Sequence, residues 1–230
     1  MSGLIATPLL WLAVTLAVFE AADILSRRSG RYPLCHPVLL ATPVLIGVLL
    51  ATRTLYATYA EATQVLGFLL GPAVVGLAVP IWAQRATIRR LAKPLTCALL
   101  AGAATAIVSA VGIVWLFGAP AEIIASIAPR ATTTPVGMAV ASQLGGIPAL
   151  AAVIVLMSGV IGAMTATPLL NLLKIRDYRA RGFAVGVSAH GFGAARAFQV
   201  DQTAGAFASL GMALNAVATA TILSIVASLI

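Results

Sequence analysis

Long apolar runs, separated by short clusters of charge, set the pattern of this chain. No Asp, Glu, Lys or Arg occurs in 32–52, 62–84, 94–121, 131–173 or 202–230. A bilayer core of roughly 30 Å takes about 20 apolar residues per helical crossing. The buried helices of a soluble domain do not repeat such a run five times over one chain. The runs are continuous in Ala, Leu, Val and Ile, without the apolar–polar alternation of a membrane barrel. Backbone groups in lipid must satisfy one another, and Ala and Leu favour helix. The expectation is an all-α polytopic membrane protein, residues 1–230, built as a single membrane domain.

The runs predict helix 1 over Leu4–Leu25, helix 2 over Leu34–Thr52, helix 3 over Ala62–Ala83, helix 4 over Pro94–Phe117 and helix 5 over Ile147–Leu173. Segment 183–200 and a last helix over Gly205–Ile230 bring the total to about seven transmembrane helices. Two of these carry helix breakers mid-span: Gly71 and Pro72 in helix 3, and His190 to Gly193 in segment 183–200. The first segment contains Trp11, Glu20 and Asp23 and lacks a basic lead-in, so it reads as a helix rather than a cleaved signal peptide.

Composition and charge refine this picture. Hydrophobic residues make up 61% of the chain and charged residues 9%, against about 25% charged in soluble domains. The net charge of +8 suggests a nucleic-acid partner at first sight. The basic residues, however, lie in short loops between apolar spans, which is the positive-inside bias of a membrane protein. No nucleic-acid partner is expected. The same bias places loops 27–31, 85–93 and 174–181 in the cytoplasm, which requires that region 120–145 make no net crossing. That region contains Pro120, Pro129, Arg130 and Pro135. It is expected to form a re-entrant hairpin that enters from outside, with its tip at Pro129–Pro135. Irregular backbone at membrane depth is tolerated only inside protein or beside a cavity. The N-terminus then lies outside and the C-terminus inside. Helix 3 and segment 183–200, both discontinuous and each flanked by intact helices, outline two inverted repeats, 1–117 and 118–230, a design of secondary transporters.

The hairpin tip carries the main candidate chemistry. Pro135 suits the first turn of a helix, with threonines at and before its cap. A helix N-terminus beside Arg130, Thr132, Thr133 and Thr134 would bind an anion. The opposing reading is an exposed turn with an interfacial arginine; the charge-free flanks of Arg130 favour the site. In the second segment, Gly191 and Gly193 can open the helix. There His190 could donate to a carboxylate or carry a proton, and Arg196 could pair with substrate or with Asp201. A packed, hydrogen-bonded core histidine is an equal reading of His190. Gly71-Pro72 also reads as a simple kink, and Asn215 as helix–helix glue. Glu20 and Asp23 are expected to snorkel at the interface, and Glu122 to sit at a helix N-terminus. His36 is a weak site candidate. Cys35 and Cys97 read as small packing residues. The chain offers no nucleophile–base pair, no phosphate loop with its lysine and no metal-ligand spacing. An enzyme, a metal and a cofactor are therefore not expected.

The same residues resemble the LrgB/CidB family, most closely its YohK-type bacterial members, over almost the whole chain. The likeness is carried by Tyr32 to Leu34 with Pro37, by Leu70 to Val75 and by Glu122 to Ile127. It continues through Pro129 to Pro135, Gly145 to Pro148, Arg181-Gly182, Ser188 to His190, Gly193 and Arg196. The resemblance implies a multi-pass protein of the bacterial cytoplasmic (inner) membrane with a small LrgA/CidA-type membrane partner. The family is described as antiholin-like, modulating murein hydrolase export and cell lysis. A related chloroplast protein carries glycolate and glycerate, and bacterial relatives are linked to pyruvate uptake. The chain departs from the family where Arg130-Ala131 replaces Lys-Ser, and at Val187, Ala194, Ala204 and His36. The combined expectation is a secondary transporter of a small monocarboxylate, coupled to H⁺ or Na⁺ and working as a homo-oligomer, a dimer. Its substrate would be held by Arg130, Thr132, Thr133, Thr134 and the helix after Pro135, facing His190, Gly191, Gly193 and Arg196. The alternative is an antiholin-like regulator acting with the LrgA/CidA-type partner.

Overall fold

Alanine, leucine and valine runs become helices in the computed structural model, which describes residues 8–30, 32 and 35–229. The expected start of helix 1 at Leu4, together with Arg31, Pro33, Leu34 and Ile230, lies outside the described residues. No strand occurs among the described residues. Five helices among the described residues are long and apolar enough to cross a membrane: Pro8–Arg28, Gln64–Ala83, Ala92–Leu116, Pro148–Leu172 and Gln202–Ser228. Two of the seven expected crossings fall short of that standard. Pro37–Ala51 has only 15 residues, about 22 Å of helix. Tyr178–Val200 is long enough but carries Arg179, Arg181, His190 and Arg196.

The chain separates into two compact units, Met1–Gly76 and Leu77–Ile230. In the first, α1 (Pro8–Arg28) packs against α2 (Pro37–Ala51) and α3 (Tyr56–Ala62). Trp11 is buried on α1 with its ring edge-on to Tyr59 at 5.9 Å. The Tyr59 hydroxyl shares a 2.9 Å hydrogen bond with Thr15. Asp23 pairs with Arg27 one turn along α1. The unit ends in α4 (Gln64–Gly76). Gly71 and Pro72, expected to break this helix, lie within it, and the interruption falls at Leu77 instead. Proline removes one backbone donor, and a membrane helix tolerates that loss without unwinding.

The second unit opens with two short helices, α5 (Ala78–Ala83) and α6 (Arg85–Arg90), and continues into α7 (Ala92–Leu116). Next come α8 (Ala121–Ile127) and α9 (Thr134–Gln143), joined by the Pro-Arg-Ala-Thr tip. The chain after the tip stays close to the end of α8: Gly137 lies against the Pro129 carbonyl, and Gly146 returns beside Ser126. The Ser126 hydroxyl fixes that return by accepting from the Ile147 N–H at 2.7 Å. Pro148 then starts α10 (Pro148–Leu172). The unit closes with α11 (Tyr178–Val200) and α12 (Gln202–Leu229).

The last two helices form the densest part of the protein. Gly182 and Gly186 lie one turn apart on α11 and face Ala204 and Ala208 on α12. A Cβ on Gly186 would lie 2.0 Å from the Ala208 carbonyl oxygen. Lipid supplies no hydrophobic drive between helices, so close backbone approach through small residues holds such pairs together. Leu99, Phe183, Val187 and Phe207 tie α7 to this pair.

Candidate functional site

Two interruptions of regular backbone are brought together in the second unit. One is the tip between α8 and α9. Thr133 is the N-cap of α9 and Pro135 sits in its first turn, as their spacing suggests. The other is within α11, where His190 adopts φ 39° and ψ −129°. That left-handed conformation is strained for a residue with a side chain. It persists because the imidazole is held from outside its own helix: Nε2 lies 3.0 Å from the Val155 carbonyl oxygen on α10. Gly159 supplies the space, since a Cβ there would lie 2.4 Å from the imidazole. Phe192 closes the pocket edge-on, with its ring centroid 5.8 Å from that of His190.

Beside each interruption a carbonyl of a buried residue takes a side-chain donor, as a buried backbone acceptor requires a partner. Asn215 of α12 serves both. Its fully buried side-chain amide donates to the Ala131 carbonyl at the tip, at 2.8 Å, and to the Val187 carbonyl in α11, at 3.1 Å. The Thr219 hydroxyl in turn donates to the Asn215 amide oxygen at 3.4 Å. Asn215 is thus more than a link between two helices; it fixes the two broken elements relative to each other. Replacing it by leucine strands both carbonyls. The expected cost is about 2–4 kcal/mol, read as lost resistance to thermal unfolding in detergent. Unchanged stability would show that the two carbonyls find other donors.

In front of this packed layer lies Arg130. Its guanidinium reaches two serine hydroxyls, Ser109 of α7 at 3.3 Å and Ser158 of α10 at 3.5 Å. Both distances are long for hydrogen bonds of this type. A guanidinium carries five N–H donors, and among the described residues Arg130 makes no ion pair. It borders two open cavities, one of 680 Å³ between α7 and α11 and one of 640 Å³ between α10 and α11. Ser188 and Ala184 of α11 also line both. Asp177 and Arg179 lie at the exposed end of the first cavity and pair with each other at 2.7 Å. Hydrogen bonds from the Arg179 side chain, then from its backbone N–H, hold the Asp177 carboxyl below the usual carboxylate range. The Arg179 charge is therefore matched locally, and Arg130 is the unmatched cation of the cavity.

The residues expected at the site divide accordingly. Arg130 faces the cavities, together with Ser188, which was not expected there. Thr132 is buried, with its hydroxyl donating to the Pro129 carbonyl at 2.7 Å. Neither Thr132, Thr133 nor Thr134 lines either of these two cavities, and Thr133 makes no side-chain capping bond. His190 is 3% exposed and belongs to the layer behind. Pro129 and Gly193 are buried, whereas Pro135 and Gly191 are exposed. Arg196 lines neither of Arg130's cavities and donates to the Gln199 amide oxygen at 3.3 Å. Asp201 accepts from the N–H groups of Thr203 and Ala204 and so starts α12. Ser109, Ser158, Gly159 and the double role of Asn215 were not foreseen. Their one signal is that each is a small or polar residue inside a charge-free helix. Among the described residues no cluster of His, Cys, Asp and Glu has the makings of a metal site.

Comparison with known proteins gives a consistent result over nearly the whole chain. The family model described as LrgB-like matches residues 15–229. "Uncharacterized protein YxaC" of Bacillus subtilis is 31% identical over 204 residues, 89% of this chain and 88% of its own length. "Holin-like protein CidB" of Staphylococcus epidermidis is 30% identical over 193 residues, 84% of each chain. "Holin-like protein CidB" of Staphylococcus aureus is 28% identical over 217 residues, 94% of each. No solved structure matches the chain.

Proposed function

The chain belongs to the LrgB-like family, and from that membership together with the Arg130 site we propose a secondary transporter of small monocarboxylates. The observation that carries the reading is the Arg130 guanidinium, held loosely by two serines and unmatched by any acid among the described residues. A carboxylate fits the guanidinium fork through two parallel charge-assisted hydrogen bonds. Ser109, Ser158 and Ser188 offer hydroxyls for the remaining oxygens of glycolate, glycerate, lactate or pyruvate. The substrate crosses chemically unchanged, so the protein is no enzyme. In this reading α8 and α9 are the two arms of a re-entrant hairpin, and the protein works in the bacterial cytoplasmic membrane. Seven crossings in two inverted repeats, a homodimer, and H⁺ or Na⁺ as coupling ion complete the proposal. Asn215 would keep the tip and the α11 break moving as one body.

The name of the staphylococcal relatives, "Holin-like protein CidB", favours a second reading. In it the chain is an antiholin-like regulator of murein hydrolase export and lysis, acting with an LrgA/CidA-type membrane protein. Uptake into proteoliposomes separates the two. The transporter reading expects saturable entry of labelled glycolate or pyruvate that depends on an imposed H⁺ or Na⁺ gradient. Absence of saturable entry, both with the chain alone and with the small partner added, would leave the regulator.

A further inference from the structure

We propose that the outer face of α5 and α6 is a binding site for an acidic phospholipid, with the headgroup phosphate held by Arg85 and Arg89. A groove of 860 Å³ runs along these two helices, lined by Val79, Ile81, Trp82, Arg85, Ile88 and Arg89 among others. Its character changes along its length. Val79 and Trp82 lie three residues apart on α5, Arg85 and Arg89 lie four apart on α6, and all four line the groove. The first two are apolar and exposed, and the last two are cationic and exposed. Ten residues separate Val79 from Arg89, a reach of about 15 Å at helical rise. An interfacial layer of roughly 5–8 Å per leaflet lies beyond the hydrocarbon. The groove therefore spans from acyl-chain depth to the phosphate level. Trp82 sits between, where an indole suits the membrane interface.

The two arginines are arranged for a phosphate rather than for a protein acid. The Arg85 guanidinium carbon stacks 4.9 Å from the centroid of the Trp82 ring, and Nη1 donates to the Trp82 carbonyl at 3.1 Å. That stacking fixes the direction of the fork. No Asp or Glu occurs between residues 62 and 121. Among the described residues none of Arg85, Arg89, Arg90 or Lys93 makes an ion pair. A general positive-inside bias needs only cations in the loop. It does not need two arginines in register with an exposed tryptophan above an apolar trough. Guanidinium groups bind phosphate oxygens in pairs. Four unmatched cations, with Arg90 and Lys93 next to the groove, select a headgroup of net negative charge over a zwitterionic one.

The test uses the full chain purified in detergent, with phosphatidylglycerol and phosphatidylcholine as probes and native mass spectrometry to count retained lipid. The wild type is expected to retain phosphatidylglycerol in preference to phosphatidylcholine. Arg85→Gln with Arg89→Gln should weaken phosphatidylglycerol retention at least about tenfold. Arg28→Gln with Arg176→Gln, which removes the same charge from other loops, should leave it unchanged. Equal loss in both double variants, or no loss in the first, would overturn the proposal. So would displacement of the lipid by inorganic phosphate alone, which would mark a free-anion site. If the glutamine pair does not fold, Arg85→Lys with Arg89→Lys keeps the charge and removes the forks. A loss of about threefold is then expected, and undiminished retention overturns the assignment.

Discussion

Arg130→Gln raises the half-saturation concentration for carboxylate uptake at least about 30-fold, with the helical fold intact. The size follows from the contact removed, since a hydrogen bond to a charged group is worth about 1.5–3 kcal/mol, and here the charge-assisted contact is bidentate. Folding is spared because the guanidinium contributes little to packing: its hydrogen bonds to Ser109 and Ser158 are 3.3 and 3.5 Å long. Glutamine keeps donors near those serines while deleting the cation. Arg130→Lys should restore most of the uptake, because the charge returns even though the planar fork does not. The family resemblance puts lysine at this position, which is consistent with charge as the essential property. Uptake rates over a range of glycolate and pyruvate concentrations, measured in proteoliposomes of each variant, decide the matter. Normal affinity in Arg130→Gln would remove Arg130 from the site while leaving the transporter reading open. A parallel fall in helical content would assign the residue to folding instead.

The parts of this structure that were legible beforehand are those governed by composition and chain chemistry. Charge-free runs marked four of the long apolar helices, and the fifth, Pro8–Arg28, is an apolar segment that carries Glu20 and Asp23. The prolines flanking Arg130 marked the two short helices α8 and α9 and the tip between them. The glycines around His190 marked the break in α11. Side-chain direction within the tip was a different matter. The sequence pattern makes Thr132 a ligand candidate, but a tip with little regular backbone bonding needs donors for its own carbonyls, and the Thr132 hydroxyl answers Pro129. Ser109, Ser158 and Ser188 come from three helices far apart in sequence and share no local motif. The strained His190 depends on the space at Gly159, 31 residues earlier. Gly71-Pro72 misled in the other direction: a Gly-Pro pair permits a break but does not compel one, and α4 continues through it.

The close pairing of α11 and α12 has a sequence signal of its own. Gly182 and Gly186 form a Gly-x-x-x-Gly pair, and their glycines bring α11 into backbone contact with α12. Gly186→Ala is expected to be the most disruptive single methyl added to this protein. The new Cβ would lie 2.0 Å from the Ala208 oxygen and 2.7 Å from both its carbonyl carbon and its Cα. These are backbone atoms of a helix, with no rotamer by which to move aside, so α11 and α12 must separate. Overpacking ordinarily costs about 1–3 kcal/mol, and this site belongs at or beyond the upper end. The damage also reaches the site. Asn215 rides on α12, and its amide holds the Ala131 and Val187 carbonyls together. A shift of α12 therefore loosens the tip that carries Arg130. Gly112→Ala is the matched control: nothing lies within 4 Å of a Cβ there, and in mid-helix alanine is favoured over glycine by about 1 kcal/mol. Thermal unfolding in detergent should show a marked loss for Gly186→Ala and none, or a slight gain, for Gly112→Ala. Uptake should fall with the first and persist with the second. Should the two variants behave alike, the close approach of α11 and α12 is not what holds the broken elements in place.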